Sequence, residues 1–104
     1  PDGAANPYLL QAVIIAAGLD GIRRKAHPGK RLDIDMYQFG HTVTDAPKLP
    51  PNLLDALRNF DKDTELKQML GPEFAAAYIK MKTTEWNAYA SHLTQWERDN
   101  TLDI

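Results

Sequence analysis

Residues 6–30, NPYLLQAVIIAAGLDGIRRKAHPGK, form an apolar stretch that decides how the rest of the chain is interpreted. No charge occurs between residues 7 and 19. Asn6 followed by Pro7 is typical of a helix start, because asparagine accepts from free backbone N–H groups and proline at the first position forfeits no hydrogen bond. The stretch predicts a helix ending near Arg24 or Lys25 that is apolar almost all the way round, which is unusual on the surface of a small domain.

The composition is that of one globular domain. The chain has 104 residues, a net charge of −2 and no cysteine. The small net charge predicts neither a nucleic acid partner nor an anionic membrane partner, and the lack of cysteine is compatible with a reducing cytoplasm. The uncharged run is shorter than the ~20 residues needed to cross a bilayer. These features favour a cytoplasmic protein that binds no membrane and no nucleic acid.

The remaining sequence predicts a mainly α fold of about four helices with one long irregular loop. Helical periodicity is lost between residues 27 and 50, where aromatic residues mix with acids, glycine and proline. A short amphipathic helix follows near residues 53–60, and another runs from Asp63 or Thr64 to a stop at Gly71. We expect the longest helix, about Glu73 to Asp99, to carry an apolar packing stripe. Its members are Ile79, Trp86, Tyr89, Leu93 and Trp96.

The residues by themselves suggest no complete active site. The three histidines have no metal-ligand spacing, and Asp33-x-Asp35 lacks a third carboxylate nearby. Ser91 and His92 are adjacent on a predicted helix, so their side chains diverge and cannot act as nucleophile and base. A basic cluster at residues 23–31 has no interleaved aromatic residues, and the solvated end of a helix accounts for it. We therefore predict no catalytic, cofactor-binding or metal-binding residue in this segment.

The segment PDGAANPYLLQAVIIAAGLDGI, residues 1–22, resembles a pattern late in glutamine synthetases. There a motif close to R-x-P-D-x-x-A-N-P-Y-L precedes an apolar helix and A-G-L-D-G-I. LPPNLLDAL at residues 49–57, Leu70-Gly71 and YIKMKTTEWNAY at residues 78–89 resemble the same C-terminal region. The resemblance covers essentially the whole chain. It implies that residues 1–104 are the C-terminal helical segment of an α+β glutamine synthetase catalytic domain whose catalytic β-sheet lies upstream.

The resemblance also implies the chemistry of the whole enzyme. Glutamine synthetases join glutamate and ammonia with ATP through γ-glutamyl phosphate, using Mg²⁺ or Mn²⁺, in ring-shaped homo-oligomers. The carboxylate ligands and arginine clamps lie upstream in the family, so this segment is expected to be inactive alone and to bind neither ATP nor metal. Pro1, Asp2 and Asn6 are expected near the active site. Tyr37 occupies a place similar to the tyrosine that some members modify, although its segment, DMYQFGHTV, departs from their N-L-Y-D-L-P-P-E motif.

The sequence leaves three alternative functions open. The ending WERDNTLDI, residues 96–104, more resembles divergent third-type glutamine synthetases and γ-glutamyl-amide ligases, whose acceptor is methylamine or another amine. A stand-alone helical interaction module would instead dock a partner through the first helix and the Trp86 and Trp96 stripe. Nucleic acid binding through the basic cluster is the third. If the chain is a member of the glutamine synthetase family, we expect the apolar stripe of the longest helix to cover one side of the first helix. The remaining catalytic domain is expected to cover the other side.

Overall fold

The computed structural model describes residues 3–101 and divides the chain into two compact units, residues 1–50 and 51–104. Every regular element in the described part is helical, which confirms the mainly α class. Six α-helices are found there, so the predicted count of about four was wrong. The elements are α1 (Pro7–Arg23), α2 (Met36–Phe39), a 3₁₀ turn (Gly40–Thr42), α3 (Leu53–Lys62), α4 (Thr64–Leu70), α5 (Pro72–Ala90) and α6 (Gln95–Thr101).

Helix α1 begins where the sequence predicts. The Oδ1 atom of Asn6 accepts hydrogen bonds from the backbone N–H groups of Tyr8 at 3.0 Å and Leu9 at 3.2 Å. Pro7 occupies the first helical position, where its missing N–H has no intrahelical partner to lose. The start of α1 is therefore defined by local hydrogen bonding that requires no tertiary contact.

Two backbone hydrogen bonds end α1. The N–H of Ala26 donates to the carbonyl of Gly21 at 2.8 Å, and the N–H of Lys25 donates to the carbonyl of Ile22 at 3.1 Å. This is the Schellman arrangement, which requires a left-handed residue just after the helix. Lys25 supplies it with φ of 51°, although glycine is the usual residue there. The helix thus ends within one or two residues of the predicted position.

The sequence suggested an irregular loop between α1 and α3, but part of this segment is helical. Asp35 caps one turn of helix, α2, by accepting from the N–H groups of Tyr37 at 2.9 Å and Gln38 at 3.4 Å. The 3₁₀ turn follows, and the Thr42 hydroxyl donates to the carbonyl of Phe39 at 2.7 Å. Short capped turns of this kind lack the repeated apolar positions that mark longer helices, so periodicity does not detect them.

In the second unit, α3 and α4 meet at a single residue, Asp63. Its N–H donates to the carbonyls of Asn59 at 3.2 Å and Phe60 at 3.1 Å, which ends α3. Its Oδ1 accepts from the N–H of Leu66 at 3.0 Å, which begins α4. One residue therefore closes one helix and opens the next. This agrees with the predicted cap at residue 63 or 64.

The core of the second unit lies where α5 packs against α3 and α4. Leu57 of α3 is 5% exposed and Ala75 of α5 is 1% exposed. The Tyr78 ring lies edge-on to Phe60, with centroids 6.3 Å apart, and stacks on Phe74 at 5.8 Å. Aromatic pairs at these separations are stabilising beyond the area they bury. The predicted apolar face of α3 is therefore a core face.

Lys82 interrupts the apolar stripe of α5 without leaving its charge unpaired. Its Nζ donates to the Glu85 carboxylate at 2.6 Å. That hydrogen bond raises the pKa of Lys82 above its ordinary value. The ammonium group therefore stays protonated at neutral pH, although the Lys82 side chain is only 26% exposed.

The predicted long helix is broken into α5 and α6. Ser91 caps the end of α5, and Thr94 then begins α6 with a capping box. The Glu97 carboxylate accepts from the Thr94 N–H at 2.7 Å and from its hydroxyl at 2.8 Å, while the Glu97 N–H donates to the Thr94 hydroxyl at 3.2 Å. These bonds from Thr94 lower the pKa of Glu97. The prediction of one helix to Asp99 was wrong because the capping box outweighs the continuing apolar stripe.

Candidate functional site

The residues considered for metal or catalytic chemistry lie apart or have structural partners. Residues 3–101 contain no group of three or more histidine and acidic side chains that could hold a metal ion. The Asp33 carboxylate pairs with Arg31 at 2.6 Å, and Asp35 caps α2. The Ser91 hydroxyl donates to the carbonyl of Ala88 at 3.0 Å, which is a helix-end contact. The metal ions that the family uses do not fit any set of side chains in the described part of the chain.

The basic cluster after α1 is partly neutralised by its own neighbours. Arg24 pairs with Asp20 at 2.5 Å, one helical turn earlier, and Arg31 pairs with Asp33. The side chains of both arginines are largely exposed, at 69% and 86%. Exposed pairs of this kind contribute little stability. The arrangement gives no support to nucleic acid binding.

A shallow groove lies in the second unit between the α3–α4 junction and α5. Its volume is about 310 Å³, and Pro72, Ala76 and Ile79 are among its lining residues. On its rim, Lys67 donates to the backbone carbonyl of Asp61 and to its carboxylate, the latter at 3.1 Å. The ammonium group of Lys67 therefore serves the junction of α3 and α4. The groove holds no convergent set of catalytic groups.

The site residues inferred from family resemblance have distinct outcomes. Pro1 and Asp2 lie outside the described residues. The side-chain oxygen of Asn6 is engaged by two N–H groups of α1, so Asn6 has a structural role whatever else lies near it. Tyr37 is fully exposed on α2, and its ring is open to solvent. Proximity of Asn6 to an active site and modification of Tyr37 stay predictions.

The most unusual surface is one face of α1. Tyr8, Ile15, Leu19 and Ile22 follow one another at helical spacing and are 83%, 63%, 45% and 75% exposed. We call these four residues the α1 stripe. Ala16 is the one buried residue among those described in α1. No helix within residues 3–101 combines the length and hydropathy needed to cross a bilayer.

The apolar residues predicted to cover α1 are themselves largely exposed. Tyr89 and Trp96 are each 68% exposed and Leu93 is 43% exposed. Tyr89 contacts the ring of Trp86 at a centroid distance of 5.6 Å. The stripe predicted on one long helix is therefore divided at the end of α5. Thr94-x-x-Glu97 is the sequence pattern of a capping box and indicates this division.

A family model described as "Glutamine synthetase, catalytic domain" matches residues 1–101. The structure therefore describes a helical segment of the kind found within an enzyme's catalytic domain. The chain belongs to the glutamine synthetase family.

Relatives with this segment carry two names. Proteins named glutamine synthetase from Rhizobium leguminosarum bv. phaseoli and Rhizobium meliloti (strain 1021) are 69% and 65% identical to it over 104 residues. The glutamate–methylamine ligase of Methyloversatilis universalis is 34% identical over 107 residues. A solved structure described as "Apo GmaS without ligand" matches the whole chain with a TM-score of 0.93 and 59% identity. All of this chain is covered in each case, but only 24% of each relative, so it spans about a quarter of their length.

Proposed function

We propose that residues 1–104 are the helical support of an ATP-dependent glutamate–ammonia ligase. The observation that carries this proposal is the match of residues 1–101 to the glutamine synthetase catalytic domain, together with 69% identity to a protein of that name. In this reaction the γ-carboxylate of glutamate attacks the γ-phosphorus of ATP, and ADP leaves. Ammonia then attacks the carbonyl carbon of γ-glutamyl phosphate, loses a proton and displaces phosphate.

The proposed role of this segment is mechanical. Its described residues offer helix caps, exposed ion pairs and packing faces, and they contain no metal cluster. ATP and Mg²⁺ or Mn²⁺ would be held by parts of the enzyme outside this segment, where these ions neutralise charge on the transferred phosphoryl group. The enzyme would act in the cytoplasm as a ring-shaped homo-oligomer. Pro1, Asp2 and Asn6 would lie where the segment approaches the active site.

The ligase proposal is tested with an enzyme that contains this segment. In the R. leguminosarum glutamine synthetase, the matching quarter is replaced by residues 1–104, and the chimera is assayed with ATP, glutamate and ammonium. We expect phosphate release that depends on ammonium, and formation of γ-glutamyl hydroxamate when hydroxylamine is supplied. Residues 1–104 alone are the matched control and should show neither. A folded chimera without activity, or activity of the segment alone, would contradict the proposal.

A second candidate acceptor is supported by one relative. The M. universalis protein with 34% identity is named for methylamine rather than ammonia. The alternative is therefore a γ-glutamyl-amide ligase in which a primary amine attacks γ-glutamyl phosphate. Competition between ammonium and methylamine in the native full-length enzyme distinguishes the two, because the preferred acceptor gives the larger kcat/KM.

Tyr37 is the proposed modification position. Full exposure of its ring on α2 gives a modifying enzyme access to the hydroxyl. The flanking sequence lacks the P-P-E of the family motif, so the modifying enzyme would have to accept a different context. Mass spectrometry of protein isolated from its native cells tests the proposal. An adduct that is lost in Tyr37→Phe supports it, and an unmodified Tyr37 peptide under nitrogen-rich and nitrogen-poor growth contradicts it.

A further inference from the structure

The junction between α5 and α6 has no backbone feature that forbids a continuous helix. Residues 91–94 contain neither glycine nor proline, and none of these four residues has a positive φ. Ser91, which ends α5, has φ of −85° and ψ of −6°, in the right-handed helical region. By contrast, α4 and α5 are separated by Gly71 with φ of 98° and by Pro72. The break at residues 91–94 therefore depends on side-chain hydrogen bonds.

Those hydrogen bonds form the capping box of Thr94 and Glu97. The Glu97 carboxylate accepts from the N–H of Thr94 at 2.7 Å and from its hydroxyl at 2.8 Å. In a continuous helix the Thr94 N–H would instead donate to the carbonyl of Ala90, four residues earlier. The two arrangements therefore compete for one backbone donor. Because the bonds from Thr94 lower the pKa of Glu97, its carboxylate is ionised at neutral pH and holds the broken arrangement.

The apolar side chains on both sides of the break fit the continuous arrangement. Trp86, Tyr89, Leu93 and Trp96 are separated by three, four and three residues. An unbroken α-helix would place all four on one face, within an arc of about 80°. In the broken form Tyr89 and Trp96 are each 68% exposed. Within the second unit α5 packs against α3 and α4, whereas no described helix packs against α6, so no helix contact of this unit fixes its direction.

We infer that residues 91–94 are a hinge with two states, the broken form that the capping box holds and one helix over residues 72–101 that forms when the box is lost. Helix formation is limited by nucleation, and α5 and α6 already supply the nuclei, so only the connecting residues must become helical. A group that draws the Glu97 carboxylate away from Thr94 would align the four apolar side chains as one continuous surface. The inference goes beyond the proposed support role and does not depend on the reaction that the full enzyme catalyses.

Hydrogen exchange of the R. leguminosarum chimera tests the hinge with Thr94→Ala and Glu97→Ala. In the continuous helix the N–H groups of residues 93–96 gain carbonyl partners, so their exchange should slow by at least about tenfold. A box that does no more than cap α6 predicts the reverse, because a helix without its cap frays and exchanges faster. Slower exchange supports the inference, and faster or unchanged exchange overturns it.

The matched controls are Thr94→Ser and Glu97→Gln. Both keep a capping box, so residues 93–96 should exchange as in the native sequence. Gln95→Pro locks the break, because proline is favoured at the first position of α6 and cannot lie inside a continuous helix. Added to Thr94→Ala, it should abolish the slower exchange. Equal slowing with and without Gln95→Pro would show that no continuous helix forms, and the inference would be wrong.

Circular dichroism of residues 1–104 provides a second measurement that does not require the chimera to fold. Thr94→Ala and Glu97→Ala should each increase the helical signal, since residues 91–94 join the helix. Glu97→Gln should leave the signal unchanged. A decrease in both alanine variants would mean that α6 unravels without its box, which contradicts the hinge.

Discussion

Leu57→Ala is expected to lower the free energy of unfolding of the second unit by about 2–5 kcal/mol. Leu57 is 5% exposed on α3, in the core between α3 and α5, so truncation removes buried methyl groups and leaves a cavity. The effect is large because residues 51–104 form a small unit, and Leu57 and Ala75 are the two buried residues among those described in it. Urea unfolding of residues 1–104, followed by the fluorescence of Trp86 and Trp96, measures the change.

The matched control is Leu49→Ala. Leu49 is 90% exposed, so the same chemical truncation removes little buried surface and should change the unfolding free energy by less than about 0.5 kcal/mol. Equal effects of the two substitutions would mean that the packing of α3 on α5 does not stabilise the unit.

Gly71→Ala is expected to destabilise the second unit by on the order of 1–3 kcal/mol. Gly71 links α4 to α5 with φ of 98° and ψ of 122°, a backbone conformation that side chains with a Cβ strongly disfavour. The nearest atom to a Cβ built there is the Cβ of Phe74 at 4.0 Å, so the cost arises from the backbone conformation and not from a clash. Thermal or urea unfolding measures it.

Gly18→Ala in residues 1–104 alone is the control for Gly71→Ala. Gly18 lies within α1 with helical backbone and open space around it, so alanine should be neutral or stabilise the helix by up to about 1 kcal/mol. A loss of stability at Gly18 in the isolated segment, matching that at Gly71, would refute the assignment of Gly71 as a conformational requirement.

Helix starts were the best predicted feature of the fold. Asn6-Pro7 and the cap at Asp63 act through hydrogen bonds to residues two or three positions away, so the sequence reveals them directly. The same short-range chemistry operates at Asp35 and Thr94, and these two caps were missed. At Asp35 no apolar repeat drew attention to the turn. At Thr94 the apolar repeat continued through the break and suggested one long helix.

The family was predicted from a sequence motif, and not from the hydrogen-bonding patterns that predict helix starts. Composition and spacing identified no catalytic set, so the residues by themselves indicated no function. The family was accessible only through the motif at residues 1–22, and the match over residues 1–101 agrees with it. Asn6 shows the limit of motif reasoning, because the residue that marks the family is also an ordinary helix cap.

The sequence by itself determined where helices begin, which faces of them are apolar and to which family the chain belongs. Tertiary structure decided which apolar faces are covered. Ile79 and Trp86 are half-buried, whereas Tyr89 on the same face of α5 is 68% exposed. The physical reason is length: α5 has 19 residues and α3 has 10, rises of about 28 Å and 15 Å, so its partner helices cover only part of it. The apolar periodicity is the same along the whole of a helix, but the burial of each apolar residue depends on whether a neighbouring helix extends far enough to cover it.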